Sequence, residues 1–148
     1  MKQIKVILET DLGSIDMYVC PEWAPQATLN FIGLVRQKMY DNSSFHRTAK
    51  NFMIQGGIIP NVVSLFGTKF PDEFTDKVSL ATHIGLVGMA NNGPNTNGTQ
   101  FFITTRTCPW LVNKHTIFGF VDDLTVVKLI EAHPHIKINR VYIDQEIE

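Results

Sequence analysis

The sequence FMIQGG at residues 52–57 is the first of three short apolar runs, and TQFFITT at 99–105 and IFGFV at 117–121 follow it. These runs are rich in aromatic and β-branched residues, which favour strands. The segments between them are dense in Asn, Gly, Pro and Thr, which favour turns. The middle of the chain is therefore predicted to form several short strands.

A hairpin, a helix and a closing strand are predicted around these runs. Residues 4–19 alternate between apolar and polar side chains around the glycine turn in TDLGS, which indicates two paired strands. From Pro25 the apolar residues recur with helical period, which indicates a helix near 25–37 whose apolar stripe includes Phe31 and Leu34. The segment RVYID at 140–144 is predicted to be the last strand.

A second helix is expected near residues 122–132. Asp122 or Asp123 is suited to cap its first turn, and Pro134 would end it. Its predicted apolar stripe consists of Val126, Leu129 and Ile130. Many short strands with two helices indicate an all-β fold, a closed or nearly closed barrel whose helices cover apolar surface.

Composition limits the function classes. The 148 residues fit a single domain, taken as 1–148, and 13 basic against 14 acidic side chains argue against a nucleic-acid partner. The N-terminus has no signal-peptide core and no run approaches membrane-spanning length, so we expect no membrane association. Cys20 and Cys108 lack disulfide or zinc spacing, which favours the cytosol or nucleus.

The usual hydrolytic, redox and nucleotide motifs are absent from the sequence. There is no GxSxG, HExxH, P-loop or GxGxxG. His133 and His135 are close together, but no cysteine or third histidine accompanies them at ligand spacing. No metal or cofactor is therefore expected.

Three segments are unusual for a purely structural barrel: FHRTAKNFMIQGG at 45–57, GMANNGPNTNGTQFF at 88–102 and PWLVNKH at 109–115. Each has an ordinary interpretation, because Phe and Met are usually core residues and an Arg is usually a solvated charge. Together they supply one fixed cation, several apolar side chains and neutral amides. This combination suits the binding of an uncharged peptide.

The same segments make the chain resemble the cyclophilin family over almost its whole length. FHR precedes FMIQGG, MAN precedes GPNTNG and QFF, and WL precedes KH and FG, in family order and at near-family spacing. The resemblance implies an eight-stranded antiparallel closed barrel capped by two helices. It also implies a peptidyl-prolyl cis-trans isomerase, with proline-containing peptides as substrates and cyclosporin A as an inhibitor.

Eleven residues match the groove of that family by type. The implied catalytic residues are Arg47, Phe52, Gln55 and His115, and the implied substrate-binding residues are Met53, Ala90, Asn91, Gln100, Phe102, Trp110 and Leu111. Rotation of an X-Pro bond crosses a barrier of about 18–20 kcal/mol because it breaks amide resonance. Arg47 could donate a hydrogen bond to the prolyl nitrogen as that nitrogen regains its lone pair.

The chain departs from the family at three places beside the groove. Residues 58–63, IIPNVV, replace a long glycine-rich loop, which could open the pocket for the residue before proline or expose aliphatic side chains to a partner. Asn92 replaces a small alanine in that pocket. Val112 and Asn113 replace the common Asp-Gly after Trp110, which could shift the tryptophan and weaken cyclosporin binding.

Two other interpretations remain open. The protein could be a proline-peptide-binding subunit, for example of a splicing complex, with weak or no isomerase activity. It could also be a barrel with accidental motifs, which would bind no prolyl peptide. A monomer is expected by default, with membership of a larger complex as an alternative.

Overall fold

The computed structural model describes residues 2–147. Its elements follow the predicted order of an opening hairpin, a helix, several short strands, a second helix and a last strand. They are β1 (Gln3–Thr10), β2 (Gly13–Val19), α1 (Pro25–Arg36), β3 (Ser43–Ser44), β4 (Arg47–Ala49), β5 (Met53–Gly56), β6 (Leu86–Met89), β7 (Phe101–Thr104), a 3-10 turn (Pro109–Leu111), β8 (Ile117–Phe120), α2 (Thr125–Glu131) and β9 (Lys137–Ile147).

The strands form one antiparallel sheet, but the closed eight-stranded barrel expected from the sequence is wrong. Within residues 2–147 there are nine strands in the order β3-β9-β1-β2-β8-β6-β7-β5-β4, and the edge strands β3 and β4 do not pair with each other. The reason is a break at Phe45–His46. There the backbone N–H of Phe45 bonds the carbonyl of Ile136, 2.9 Å away, and the ring is fully buried.

The break divides one extended segment into two strands with different neighbours. Ser43 and Ser44 pair with β9, and residues 47–49 pair with β5. Because two residues span less than about 10 Å, the sheet must curl until its two edges lie side by side. Strand β4 therefore lies at a seam between the edges.

The hairpin of β1 and β2 is confirmed, with Val6 opposite Met17 and Leu8 opposite Ile15. These inward side chains are almost completely buried. They form the main core together with one face of α1, whose Phe31 packs 5.3 Å from the ring of Tyr40 and 5.2 Å from that of Phe118. The predicted apolar stripe of the first helix is therefore correct.

The N-terminus of α1 receives its hydrogen bonds from a distant loop. Ala24 precedes the helix without a side-chain cap, and Pro25 occupies its first turn as predicted. The two carboxylate oxygens of Glu73 accept the backbone N–H groups of Gln26 at 3.0 Å and Ala27 at 2.8 Å. These are two of the donors that a helix start leaves without an intrahelical partner.

The second helix is shorter than predicted, and its buried side differs from the predicted apolar stripe at one residue. Its first turn is supported by Asp123, whose carboxylate accepts the N–H of Thr125 at 3.0 Å. Val127 and Ile130 are fully buried, whereas Leu129 is 45% exposed. Val127 and Ile130 are three residues apart and therefore share one face of the helix, and Leu129 lies outside that buried face. The predicted stripe was wrong at this residue.

No helix within residues 2–147 is both long and apolar enough to cross a bilayer.

Candidate active site

One open cavity of about 290 Å³ brings together most of the predicted site. Nine of the eleven predicted residues line it, accompanied by Asn92. The nine are Arg47, Phe52, Met53, Gln55, Ala90, Asn91, Phe102, Leu111 and His115. Gln100 lines an adjoining cavity of about 140 Å³, and Trp110 lies beside the first cavity against Phe52.

Strand register explains how residues far apart in sequence meet there. Arg47 on β4 lies opposite Gln55 on β5, and Gln55 lies opposite Phe102 on β7. Directly opposed side chains on an antiparallel pair are about 5 Å apart. The cation, the amide and the aromatic ring therefore form a row across three neighbouring strands.

The polar side of the cavity is a chain of side-chain hydrogen bonds. Arg47 Nη1 donates to Gln55 Oε1 at 3.4 Å, and Gln55 Nε2 donates to Gln100 Oε1 at 2.9 Å. Among residues 2–147 no Asp or Glu lines this cavity. The guanidinium therefore faces the cavity without a carboxylate that would neutralise it.

The apolar side is a floor of buried rings. Met53 and Phe102 are 2% and 4% exposed. The rings of Phe102 and His115 meet edge to face with centroids 5.2 Å apart. This floor belongs to a second, smaller hydrophobic cluster that also includes Leu80, Leu86 and Ile117. The site thus rests on its own packed support.

Gly88 belongs to this floor and was not predicted. A Cβ atom at residue 88 would lie 2.5 Å from Cζ of Phe102 and 2.9 Å from Cδ1 of Ile117. The Phe102 ring therefore occupies space that any other residue at this position would need. The sequence signal was its place in GMAN, directly opposite Phe102 in the pairing of β6 with β7.

His115 has a defined tautomer. Its Nδ1 lies 2.9 Å from the carbonyl oxygen of Met89. Since a carbonyl only accepts, Nδ1 carries a proton, and in the neutral ring the lone pair is therefore on Nε2. Asn91 Nδ2, 3.3 Å from the same Nδ1, then cannot bond to it, because both atoms are donors. Asn91 instead donates to the carbonyl of Lys114 at 2.8 Å.

Comparison with known proteins identifies the family. The family described as cyclophilin type peptidyl-prolyl cis-trans isomerase/CLD matches residues 5–148. The chain belongs to the cyclophilin-type peptidyl-prolyl cis-trans isomerases. It is 43% identical over 148 residues to peptidyl-prolyl cis-trans isomerase-like 1 of Rhizopus delemar, covering 97% of this chain and 89% of the relative.

Two further similar proteins belong to the same family. Peptidyl-prolyl cis-trans isomerase cypE of Dictyostelium discoideum is 46% identical over 137 residues, covering 89% of this chain and 87% of the relative. A cyclophilin of Cryptosporidium parvum, solved in the presence of the dipeptide Ala-Pro, superposes with a TM-score of 0.88 at 30% identity, covering 95% of this chain and 99% of that one. The protein is thus an isomerase of X-Pro peptide bonds with the cyclophilin fold.

The smaller cavity also contains residues that the sequence did not single out. Asn92 and Gln55, both named above, line both cavities, and the further residues Thr96, Gly98 and Thr99 complete the smaller one. Thr96, Gly98 and Thr99 belong to the GPNTNGT run, which was recognised as a motif but not resolved into contacts. Thr99 also donates from Oγ1 to the carbonyl of Gly57 at 2.7 Å, which holds this run against the end of β5.

Residues 58–63, whose shortness was predicted to open the pocket or to expose aliphatic side chains, lie outside the two cavities. None of them lines either cavity of the site. Ile59 and Val62 pack against the main core, while Ile58 and Val63 are 48% and 52% exposed. The shortened segment in this cyclophilin therefore contributes to the surface beside the site and to neither of its two cavities.

The Val112–Asn113 turn keeps its internal hydrogen bonds. The N–H of Val112 bonds the carbonyl of Pro109 at 3.3 Å, and the N–H of Lys114 bonds that of Leu111 at 3.1 Å. Asn113 has φ +58°, a conformation that Asn adopts more readily than most residues. Trp110 is held between Phe52, with ring centroids 5.5 Å apart, and the guanidinium of Arg106.

Proposed function

We propose that Arg47 accelerates X-Pro isomerisation by donating a hydrogen bond to the prolyl nitrogen in the twisted state. The observation that carries this proposal is the position of Arg47, bonded to Gln55 and lining a cavity that has an apolar floor and no carboxylate among residues 2–147. The planar amide has no available lone pair on nitrogen, but the twisted amide does. The bond therefore forms mainly in the transition state, which is what lowers a barrier.

The proline ring would occupy the cavity over Phe102. Phe52, Met53 and Leu111 supply its apolar walls, and His115 closes its edge. Fixing the ring there holds one side of the rotating bond and excludes water from the planar amide. Gln55 and Asn91 would bind the peptide backbone by neutral hydrogen bonds.

The residue before proline would enter the smaller cavity. That cavity adjoins the first through Gln55, Ala90 and Asn92, so a peptide can bridge both. The Cryptosporidium parvum relative solved in the presence of Ala-Pro supports the same class of ligand for this chain. Cyclosporin A would bind the same groove, with the 44% exposed Trp110 at its border.

The test is exchange NMR spectroscopy of a short X-Pro peptide. Arg47→Ala is expected to lower kcat/KM by about ten- to a hundred-fold, as expected for the loss of one hydrogen bond from a charged donor. The peptide dissociation constant should change by less than about three-fold, because the bond belongs to the transition state. Cyclosporin A is expected to suppress the wild-type rate.

The matched control is Arg140→Ala. Arg140 is an exposed arginine on β9, stacked 4.0 Å from the ring centroid of Tyr142. It should leave the exchange rate unchanged. Equal rates for wild type and Arg47→Ala would overturn the assignment of Arg47.

A role as a binding subunit is the second candidate, favoured by exposed apolar side chains away from the groove. Ile58, Val63, Leu65 and Phe66 are each more than 40% exposed. Tight prolyl-peptide binding without faster exchange would favour this role over catalysis. Both roles suit a monomer, and the free thiols of Cys20 and Cys108 favour the cytosol or nucleus.

A further inference from the structure

We propose that Asp72 is a positioning residue that fixes one wall of the smaller cavity and thereby sets which residue is accepted before proline. This inference rests on the proposed function, in which the residue before proline enters that cavity. Asp72 lies in the long connection between β5 and β6 and lines neither cavity of the site. It acts through residues 91–97, named here the pocket segment, which supply Asn91, Asn92 and Thr96 to the smaller cavity.

Asp72 and Asn95 hold each other by a reciprocal pair of hydrogen bonds. The backbone N–H of Asp72 donates to Oδ1 of Asn95 at 3.0 Å, and the backbone N–H of Asn95 donates to Oδ2 of Asp72 at 2.9 Å. Asn95 has φ +58°, a left-handed conformation that Asn adopts more readily than most residues. The pair therefore fixes the turn of the pocket segment against the connection that carries Asp72.

The second carboxylate oxygen of Asp72 anchors the end of the pocket segment. Its Oδ1 accepts a hydrogen bond from Nδ2 of Asn97 at 2.9 Å. Asn97 is fully buried, and its backbone exchanges two hydrogen bonds with that of Phe70, at 3.0 and 3.3 Å. Hydrogen bonds to an ionised acceptor are stronger than those between neutral groups. One carboxylate thus holds the pocket segment at two positions, residues 95 and 97.

Thr96 carries this anchoring to the wall of the cavity. Its Oγ1 accepts the backbone N–H of Asn92 at 2.8 Å and donates to the carbonyl of Gly93 at 2.8 Å. Because Thr96 lies between the two residues that Asp72 holds, its hydroxyl stays where the backbone of Asn92 needs it. The position of Asn92, which lines both cavities, therefore depends on Asp72.

The opposite side of the smaller cavity is held by other groups. Nδ2 of Asn30, a fully buried residue of α1, donates to the carbonyl of Gly98 at 2.9 Å. The hydroxyl of Tyr40 donates to the carbonyl of Thr99 at 2.7 Å. Gly98 and Thr99 both line the cavity. Loss of the Asp72 carboxylate is therefore expected to release one wall and leave the opposite wall in place.

The test compares Asp72→Ala with wild type by exchange NMR on two peptides, with Ala or Phe before proline. A released wall samples several conformations, and the apparent affinity falls with the fraction that fits the substrate. KM for the Ala-Pro peptide should rise by about three- to thirty-fold, as for the loss of one or two hydrogen bonds to a charged acceptor. The change in kcat should stay below about two-fold, because Arg47 is bonded to Gln55 outside the pocket segment.

Selectivity is the readout that a loss of stability alone would not change. A released wall yields to a bulky side chain, so KM for the Phe-Pro peptide should rise less than KM for the Ala-Pro peptide. The ratio of kcat/KM for Ala-Pro over Phe-Pro should therefore fall by at least about three-fold.

Glu73→Ala is the control for stability. Glu73 is the next residue in the chain, but its carboxylate bonds the start of α1. This variant should be less stable than wild type and keep the wild-type ratio. Thermal unfolding of each variant verifies that it is folded at the assay temperature.

Two milder substitutions test individual bonds of the anchor. Asp72→Asn keeps one acceptor oxygen, but its amide nitrogen must face one of two donors, the N–H of Asn95 or the amide of Asn97. It should lower the ratio by a smaller factor than Asp72→Ala. Asn95→Gly keeps a residue suited to positive φ and removes the acceptor of the Asp72 N–H, so it should lower the ratio as well.

Deuterium exchange at the backbone amide of Asn95 reports on the anchor directly. Asp72→Ala removes the acceptor of this amide and should speed its exchange by at least about ten-fold, whereas Glu73→Ala should not. An unchanged exchange rate in Asp72→Ala would show that the carboxylate does not hold the pocket segment.

The outcomes distinguish this inference from the proposed function. If Asn92→Ala changes the ratio and Asp72→Ala does not, the residue before proline uses the smaller cavity, but Asp72 does not position its wall and the inference is wrong. If Glu73→Ala lowers the ratio as much as Asp72→Ala, the effect is a loss of stability and the inference is equally wrong. If neither Asn92→Ala nor Asp72→Ala changes the ratio, the proposed use of the smaller cavity fails and the inference fails with it. The rate of Arg47→Ala tests the catalytic assignment separately.

Discussion

Gly88 lies against the ring of Phe102, and its lack of a side chain leaves room for that ring at the floor of the proposed proline pocket. Gly88→Ala would place a methyl group 2.5 Å from Phe102 Cζ. We expect the ring to move into the cavity, which should raise KM for X-Pro peptides. The free energy of unfolding should fall by about 1–3 kcal/mol, the usual cost of overpacking a core.

Thermal or denaturant unfolding and steady-state kinetics measure these two effects. Gly98→Ala is the control for stability, because the nearest atom to a Cβ at residue 98, the carbonyl oxygen of Thr68, would be 3.8 Å away. If Gly88→Ala were as stable as wild type with unchanged KM, Phe102 would have room that the structure does not show.

Asn92 should control which residue precedes proline. Its side chain lines both cavities at the point where they join. Asn92→Ala removes volume and two polar atoms there, so kcat/KM should rise for bulky apolar residues before proline relative to alanine. Competition between Ala-Pro and Phe-Pro peptides measures the ratio. An unchanged ratio would mean that Asn92 does not form a wall of the substrate site.

The sequence was sufficient to predict residues that meet in one cavity, but not all of their contacts. Motif order brought Arg47, Gln55 and Phe102 into one prediction, and the structure places them side by side. The bond between Gln55 and Gln100 joins residues 45 positions apart. It depends on the register of β5 with β7, which no local pattern determines.

At the level of elements, α1 depends on a carboxylate supplied from another part of the chain. Glu73→Ala removes both acceptors of the Gln26 and Ala27 N–H groups and should lower the free energy of unfolding by about 1–3 kcal/mol. Glu73→Gln keeps one acceptor oxygen and should lose about half as much. Chemical denaturation measures both variants.

The matched control for Glu73 is Glu22→Ala, which breaks an exposed ion pair with Lys77. Such pairs contribute little, so a loss below about 1 kcal/mol is expected. Comparable losses at both positions would show that the Glu73 cap is not specifically stabilising.

The positions of helices and strands followed the sequence pattern closely. The caps and packing partners of those elements could not be predicted from it. Pro25 marked the start of α1, but its cap comes from Glu73, 46 or more residues away. Leu129 was wrongly placed in the buried stripe of α2 because the apolar residues of this helix include neighbours on several faces: Val126, Val127, Leu129 and Ile130. In such a short helix only the packing partner decides which of them face inward.

At the scale of the whole molecule, both thiols are sealed inside the fold. Burial, reinforced by the negative charge of Glu22, raises the pKa of Cys20 to about 12, and burial also raises the pKa of Cys108. The reactive species is the thiolate. At about pH 8, iodoacetamide should therefore label neither cysteine in the native protein, whereas it should label both in denaturant. Mass spectrometry measures the labelling. Rapid native labelling of Cys20 would contradict its burial.

Closure of the sheet was the largest feature that the sequence pattern could not determine. A closed barrel and a curled sheet with a seam differ only in how residues 43–49 pair, and both use the same alternation of side chains. The difference arises because Phe45 turns into the core and bonds Ile136, a contact between residues far apart in sequence.

The seam has a consequence for how the enzyme opens locally. Strand β4 pairs with β5 alone among residues 2–147, whereas β1 is flanked by β2 and β9. Edge segments unfold at free energies well below that of the whole domain. Deuterium should therefore replace the amide protons of residues 47–49 much faster than those of Val6 and Leu8. Saturation with a prolyl ligand that contacts Arg47 should slow deuterium uptake selectively in β4, so the ligand would restrain the strand that carries the proposed catalytic cation.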